Sequence, residues 1–393
     1  MSWNPKNTMS LRLDLVTLAE AGGVPFTTLC KRFGVSAKTG YKWRNRHRQA
    51  GEQGLHDRSR RPHRSPARCA PGVEEAVAAA RRRQPVWGPR KLAHVLEREG
   101  VEAPSPSTIA AIIRRQGLAA PKHPDDTVGA CVRFEHARPN ELWQMDFKGH
   151  VAMGAARLHP LTMVDDHSRY LVGLYACSRP DDASVRAGLT DAFRLHGLPE
   201  RILCDHGTPW CHAPEGETAL TVWLMRLGVK VTHGRVRHPQ TQGKCERFHR
   251  TLKAELLQRR DWRDLESSQR RFDAYRTEYN HRRPHEALDY ATPSSRYRPS
   301  PRSFPERLPD LEYLEGDEIK RVKSKGEIMV HNRTWYIGAA FIGEPVALRP
   351  QGDGLLAVYY SHCRLGYIDL RVTDDLPKHN YRRLLKPGET HRP

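Results

Sequence analysis

Between Asn140 and Thr232 the chain carries three strand patterns in a row, then an alternation of helix and strand, and few folds accept that order. ELWQMDFKGHV and then LHPLTMVDDHSRYLVGLYACS read as three consecutive strands with turns between them. Asp181–His196 has an amphipathic helical period, Arg201–Cys204 is a short apolar strand, Glu217–Leu227 a helix and Val229–Thr232 a strand. Two further helices follow, one in HPQTQGKCERFHRTLKAE (His238–Glu255) and one over Asp264–Tyr279. Three meandering strands joined to two that need crossovers predict an α/β layer on a mixed five-stranded sheet, not a purely parallel one.

The flanks differ from this core. Leu11, Leu15 and Leu18 share a helical face that Gly22-Gly23 terminate. Pro25 opens a second helix with Phe26, Leu29 and Phe33 as its apolar face. After the Gly34 turn, Ser36 caps a third carrying Lys38, Tyr41, Lys42, Trp43, Arg44, Arg46 and Arg48. This is helix-turn-helix geometry, with the basic helix as the groove reader. Gly40 inside that helix weakens it by roughly 1 kcal/mol relative to Ala. The basic, Pro-punctuated stretch HDRSRRPHRSPARCAP, with Arg58, Arg60 and Arg61, reads as a linker able to track phosphates. Val73–Arg83, Pro89–Glu99 and Ser107–Gln116 predict a second helix-turn-helix, with Ser107 as the third helix's cap and Arg114 near its end. Beyond the Pro-rich Pro299–Pro309 segment, EIMVHN, RTWYIG, PVALRP, LLAVYY and RLGYIDL are short, evenly spaced strand patterns, as in a small β-barrel.

Charge supports a nucleic-acid partner. The 393 residues hold 65 Lys+Arg against 45 Asp+Glu, a net +20. Residues 1–70 hold 14 of the former and 4 of the latter, so half the excess lies in under a fifth of the chain. That is a dedicated binding segment, not a generally basic surface. No apolar run approaches the length of a bilayer span, the start lacks a signal-peptide core, and the 8 Cys form no framework. A cytoplasmic protein, nucleoid-associated when bound to DNA, is expected.

Three acids stand out. Asp146 lies within the apolar strand WQMDF, Asp205 follows Ile202-Leu203-Cys204, and Glu246 opens a basic helix with Arg250 and Lys253 on its own face. A buried Asp is costly unless it is paired or binds a cation. Read singly, Asp205 suits a turn and Glu246 an ion-paired surface helix. Together they make an all-oxygen set suited to Mg²⁺ or Mn²⁺, two ions of which can clamp an in-line phosphoryl displacement. Cys204, His206, Cys211 and His212 are softer ligands at close spacing, but not in a zinc-finger pattern. No Gly-rich phosphate loop occurs, so no nucleotide cofactor is expected.

WQMDF, CDHGTPW and HPQTQGKCERFHRTLK together resemble the integrase-type DDE transposases of bacterial insertion sequences, in the superfamily of retroviral integrases. YNHRRPHEAL…TP resembles the segment closing that domain, and VSAKTGYKW with GLHDRSRRPH its N-terminal reader and linker. The likeness is strong over roughly residues 30–65 and 138–297. It implies an RNase H-like core in which Asp146, Asp205 and Glu246 are catalytic metal ligands. It also implies that Arg250 and Lys253 hold DNA beside them, and it leaves Asp165-Asp166 a structural role. Three departures are visible: His206 stands where the family commonly has Asn, Gly40 where its reader has an apolar residue, and 40 residues separate Asp205 from Glu246, more than is usual. The extra length falls in WCHAPEGET, a loop insertion that lets the acids still converge.

The expected organisation is helix-turn-helix 1–55, basic linker 56–71, second helix-turn-helix 72–120, linker 121–137, RNase H-like core 138–298, linker 299–312, small β-barrel 313–375 and basic tail 376–393. The expected activity is binding of terminal inverted repeats, metal-dependent strand cleavage, and transfer of the 3′-hydroxyl to double-stranded target DNA by a dimer or larger synaptic assembly. The alternatives are a DNA-binding regulator with an inactive core and an RNase H-type nuclease that cuts without joining.

Overall fold

The computed structural model describes residues 7–58, 68–119, 135–205, 207, 210, 217–233, 243–258, 261–371 and 382–385. It divides into two compact units, 1–68 and 69–393.

The first unit contains α1 (Thr8–Ala21), α2 (Phe26–Arg32) and α3 (Ala37–Ala50), followed by a 3₁₀ turn at Gly51–Leu55. Ser36 caps α3, its hydroxyl accepting the Thr39 N–H at 3.2 Å. Val16, Trp43 and Leu55 form the core, with Met9 and Leu13 against it. The buried stripe of α1 therefore runs through Met9, Leu13 and Val16. Leu15 is buried as expected, but Leu11 and Leu18 are 43% and 47% exposed. All these positions have helical spacing, and only the partner helix decides which stripe is covered. Gly40 also has a role that propensity conceals. A Cβ there would stand 2.3 Å from Cys30 Sγ and 3.1 Å from the Phe26 ring, so the missing side chain lets α3 close on α2.

The second unit opens with α4 (Pro71–Arg83), α5 (Pro89–Arg98) and α6 (Pro106–Arg115). They enclose Val77, Trp87, Leu92, Leu96, Ile109 and Ile112. The cap of α6 is Ser105, not Ser107: its hydroxyl accepts the Thr108 N–H at 3.3 Å, and Pro106 takes the first helical position, where a missing N–H does no harm.

The central sheet comprises β1 (Trp143–Phe147), β2 (Val151–Met153), β3 (Ala156–Asp165), β4 (Leu171–Cys177), β5 (Arg201–Cys204) and β6 (Lys230–His233). Its five-strand body has the order β4-β3-β1-β5-β6, and the short β2 pairs with the start of β3. β1 is antiparallel to β3 and parallel to β5, which gives the mixed, RNase H-like sheet. Helices α7 (Asp182–His196) and α8 (Ala219–Arg226) cover one face, and α9 (Gly243–Leu252) and α10 (Leu265–His281) the other. Strand alternation assigns the residues. Trp143, Met145, Leu161 and Met163 pack toward Phe193 and Trp223, whereas Val164, Leu171 and Leu174 meet Phe248, Leu252 and Phe272.

Residues 299–312, expected as a linker, are strapped to the core. Arg302 donates to the carbonyls of Pro199, Leu227 and Gly228, and Phe304 and Leu308 join the α7/α8 core. The C-terminal region forms an antiparallel sheet of order β12-β11-β10-β7 and a second of order β13-β9-β8. Their ranges are β7 Glu318–Arg321, β8 Glu327–Val330, β9 Arg333–Tyr336, β10 Pro345–Gly352, β11 Leu355–Tyr360, β12 Cys363–Asp369 and β13 Arg382–Arg383. All five expected strand patterns are present. Among the described residues the ladders do not close into a barrel, and the shared core also takes in Val222 and Met225 of α8. Part of the expected basic tail is integrated as well: β13 pairs with β9, and Leu385 exchanges main-chain hydrogen bonds with Tyr367.

Candidate active site and nucleic-acid interface

The polar residues of β1 and β3 that face α9 make the site. Gln144 and Asp146 alternate with the apolar Trp143 and Met145, and Thr162 lies opposite Asp146 in the antiparallel register. The parallel register of β1 and β5 pairs Gln144 with Leu203, so the two strands run side by side toward Asp146 and Asp205. Asp205 is exposed just past β5, and its Oδ1 accepts the Gly207 N–H at 2.9 Å, a turn contact. Glu246 is exposed on the first turn of α9.

Asp146 lies within electrostatic reach of the other two acids, but among the described residues only Cys245 and His249 bring ligand-type atoms within 4.8 Å of it. Burial, then the negative charge of Asp205, push the Asp146 carboxyl up to about 6. The Phe147 N–H and the Lys148 charge oppose this, and Glu246 pushes it further up. A hard divalent cation would offset the negative charge acting on Asp146, and the oxygen donors of the three acids fit Mg²⁺ or Mn²⁺ by chemistry.

Residues that sequence reasoning passed over hold this arrangement. Gln144, 3% exposed, accepts the Cys245 main-chain N–H at 3.2 Å and donates to Asp166 at 2.8 Å. Thr162 Oγ1 lies 2.9 Å from the Asp146 carbonyl and 2.8 Å from His249 Nε2. Cys245 is buried behind Glu246, where its helical azimuth puts it, with Sγ 3.5 Å from His249 Nε2. Asp146, Cys245 and His249 bring ligand-type atoms within 4.8 Å of one another. Burial pushes the Cys245 thiol well above its usual range, and burial, then the Lys148 charge, push the His249 imidazole down to about 3. The available signal was helical spacing: Cys245 and His249 are four apart, on the buried side of the helix that bears Glu246.

Asp165 and Asp166 have structural partners. Asp165 accepts the main-chain N–H of Asn140 and Ser168, and Asp166 accepts that of His136 and pairs with Lys244 at 2.5 Å. Of the softer ligand set, Cys204 is buried with Sγ 3.6 Å from His233 Nδ1, while His206, Cys211 and His212 lie outside the described residues.

Among the DNA-binding candidates, Lys38, Tyr41 and Lys42 are exposed on α3. Arg44 is half-buried, its guanidinium 5.2 Å from the Phe26 ring centre, so part of its contribution is packing. Arg58 and Arg114 are exposed, and Arg60 and Arg61 lie outside the described residues. Arg250 and Lys253 are exposed on α9 and at the start of the π-turn (Lys253–Leu257) that follows it. Among the described residues neither forms an ion pair with Glu246, which leaves both cations available to phosphate.

Residues 136–239 match the family described as Integrase core domain, and residues 227–293 match a second family of the same description. Residues 11–63 match a Helix-turn-helix domain, residues 39–113 a Homeodomain-like domain, and residues 317–376 the IS481 family transposase, C-terminal domain. A 31.7 kDa protein of insertion element IS407 from Burkholderia multivorans is 28% identical over 235 residues, 57% of this chain and 82% of that protein. The transposase of element IS904 from Lactococcus lactis is 28% identical over 163 residues, 41% of this chain and 62% of its own length. The transposase of transposon Tn552 from Staphylococcus aureus is 22% identical over 394 aligned positions, covering 86% of this chain and 78% of its own. Matches to DNA-binding helical modules, to an integrase core and to an insertion-sequence C-terminal module thus occur in one chain, and together they support an insertion-sequence transposase of the integrase superfamily.

Proposed function

We propose that this transposase binds the terminal inverted repeats of an insertion element through its helix-turn-helix modules, cleaves a phosphodiester at each end and joins the freed 3′-hydroxyls to target DNA. Asp146, Asp205 and Glu246 are the acids that hold divalent cations, Mg²⁺ or Mn²⁺, two per site. The observation that supports this reading is the placement of the three acids on β1, at the end of β5 and on the first turn of α9, where the charges of Asp205 and Glu246 add to burial in raising the Asp146 carboxyl. When bound, such a metal pair supplies charge stabilisation to the attacking and leaving oxygens of an in-line displacement.

The chain's own residues position and exclude. Gln144 ties the start of α9 to β1 and so sets where Glu246 stands relative to Asp146. Arg250 and Lys253 offer cations to backbone phosphates beside the acids. Lys38, Tyr41, Lys42 and Arg44 on α3, the Arg58–Arg61 stretch and Arg114 supply end binding. Two ends joined in one event call for at least a dimer.

The test is a strand-transfer assay with pre-cleaved element ends and Mg²⁺, run beside a hydrolysis assay on uncleaved ends. Joined product is expected from the wild type and none from D146N, D205N or E246Q, with end binding retained in all three. Hydrolysis without joining would support a nuclease instead, and unchanged activity in the variants would remove the acids from the site.

A further inference from the structure

The contacts around Thr162 accommodate the Nε2–H tautomer of His249. A hydroxyl has one proton, and the Asp146 carbonyl can only accept, so Thr162 donates there at 2.9 Å. Its oxygen can then accept from His249, whose Nε2 lies 2.8 Å away. A neutral ring with Nε2–H has a bare lone pair on Nδ1. That Nδ1 is 3.8 Å from Asp146 Oδ2. His249 is 7% exposed, so two acceptors face each other at a largely buried position. Such a pair is repulsive until something positive lies between them. Imidazole nitrogen and carboxylate oxygen each sit about 2.0–2.2 Å from a bound first-row ion, so a cation can take both atoms after a small closure of this gap. Cys245 is differently placed: its Sγ lies 3.5 Å from Nε2, the ring nitrogen that bonds Thr162, not the one facing Asp146.

We propose that His249, through Nδ1, is a further protein ligand of the cation held by Asp146, adding one borderline nitrogen donor to the carboxylate site. This rests on the reading of Asp146, Asp205 and Glu246 as the cation-binding acids. Nitrogen donors suit Mn²⁺ better than Mg²⁺, so the site discriminates between them more than three carboxylates would. Thr162 is the positioning residue, holding the ring in the ligating tautomer as outer partners of metal-bound histidines do.

The experiment uses the full chain and Mn²⁺ alone. Pulsed electron paramagnetic resonance of bound Mn²⁺ reads nitrogen coupling, and histidine-selective ¹⁵N labelling of the wild type identifies its source without any substitution. The wild type is expected to show histidine coupling that H249Q loses. H249Q should also bind Mn²⁺ roughly tenfold or more weakly, with a smaller change for Mg²⁺. Absence of histidine coupling in the wild type, or its persistence in H249Q, overturns the assignment. D205N separates the two levels. Weakened Mn²⁺ binding in D205N beside a wild type without nitrogen coupling removes His249 alone. Wild-type affinity in D205N removes the carboxylate reading and the His249 assignment with it.

Discussion

Gln144 on β1 accepts the Cys245 main-chain N–H of α9 at 3.2 Å, and this one bond ties the helix bearing Glu246 to the strand bearing Asp146. The same side chain donates to Asp166, so replacing it takes a partner from the buried Cys245 N–H and one of several from Asp166. Q144L is expected to lose about 1–3 kcal/mol of stability and to weaken divalent binding as Glu246 shifts. Urea unfolding with and without Mn²⁺ checks both. Unchanged Mn²⁺ stabilisation would show that Glu246 is positioned by something else.

The raised Asp146 carboxyl sets a pH dependence. Its folded pKa of about 6 lies above the ordinary Asp value of about 4, so the folded state holds the extra proton between them. In EDTA, this group's stabilising contribution is present below about 4 and is lost as pH rises through about 6. D146N should flatten that part of the profile, raising the metal-free melting temperature at pH 7 relative to the wild type. Added Mn²⁺ should restore the wild type at pH 7 and do little at pH 5, where protons compete. Parallel melting profiles of the two proteins would contradict this.

Gly40 predicts an inversion of helix propensity. G40A would gain about 1 kcal/mol as an isolated helix substitution. Its Cβ would stand 2.3 Å from Cys30 Sγ, which is buried between α2 and α3. A net loss of about 1–3 kcal/mol is expected, largely recovered in the G40A/C30A double variant. Calorimetry of the three variants reads the coupling, and additive effects would place the clash elsewhere.

Glu255 and Arg283 form a buried pair, with N–O distances of 2.9 and 3.1 Å and side chains 8% and 6% exposed. Trp87 Nε1 and the Tyr275 hydroxyl also donate to Glu255, which links the segment between α4 and α5 to the sheet's α9/α10 face. E255A leaves the guanidinium buried without its counter-ion, and a loss of about 3–5 kcal/mol is expected. E255L/R283L should be less damaged than E255A. Hydrogen exchange should show α5 losing protection with α10, and independent behaviour would mean the link is dispensable.

On α3, Lys42 is exposed, whereas Arg44 also packs against Phe26. K42A should weaken end binding and reduce the slope of log affinity against log salt by about one, with the fold intact. R44A should lower both binding and melting temperature. A salt slope unchanged in K42A would remove α3 from the phosphate contacts.

The order of elements was legible because it is written in local periods. Alternation marked β1, β3 and β4, apolar stripes marked α7 and α10, and Ser36 marked the start of α3. The three acids could be picked out because an Asp in an apolar strand demands a reason. What a period cannot reveal is which stripe another element will cover. Leu11 and Leu18 have the same spacing as Met9, Leu13 and Val16, and packing against Trp43 and Leu55 chooses between them. Strands β7 and β13 are short and weakly patterned, and they exist through pairing with β10 and β9. Gln144, Thr162 and His249 look ordinary one at a time. They become a supporting shell for Asp146 because β1, β3 and α9, some 100 residues apart along the chain at their widest, are packed face to face. Sequence alone marked most of the elements and singled out the three acids. Tertiary packing decided the partners, because hydrogen bonds and burial depend on what lies opposite.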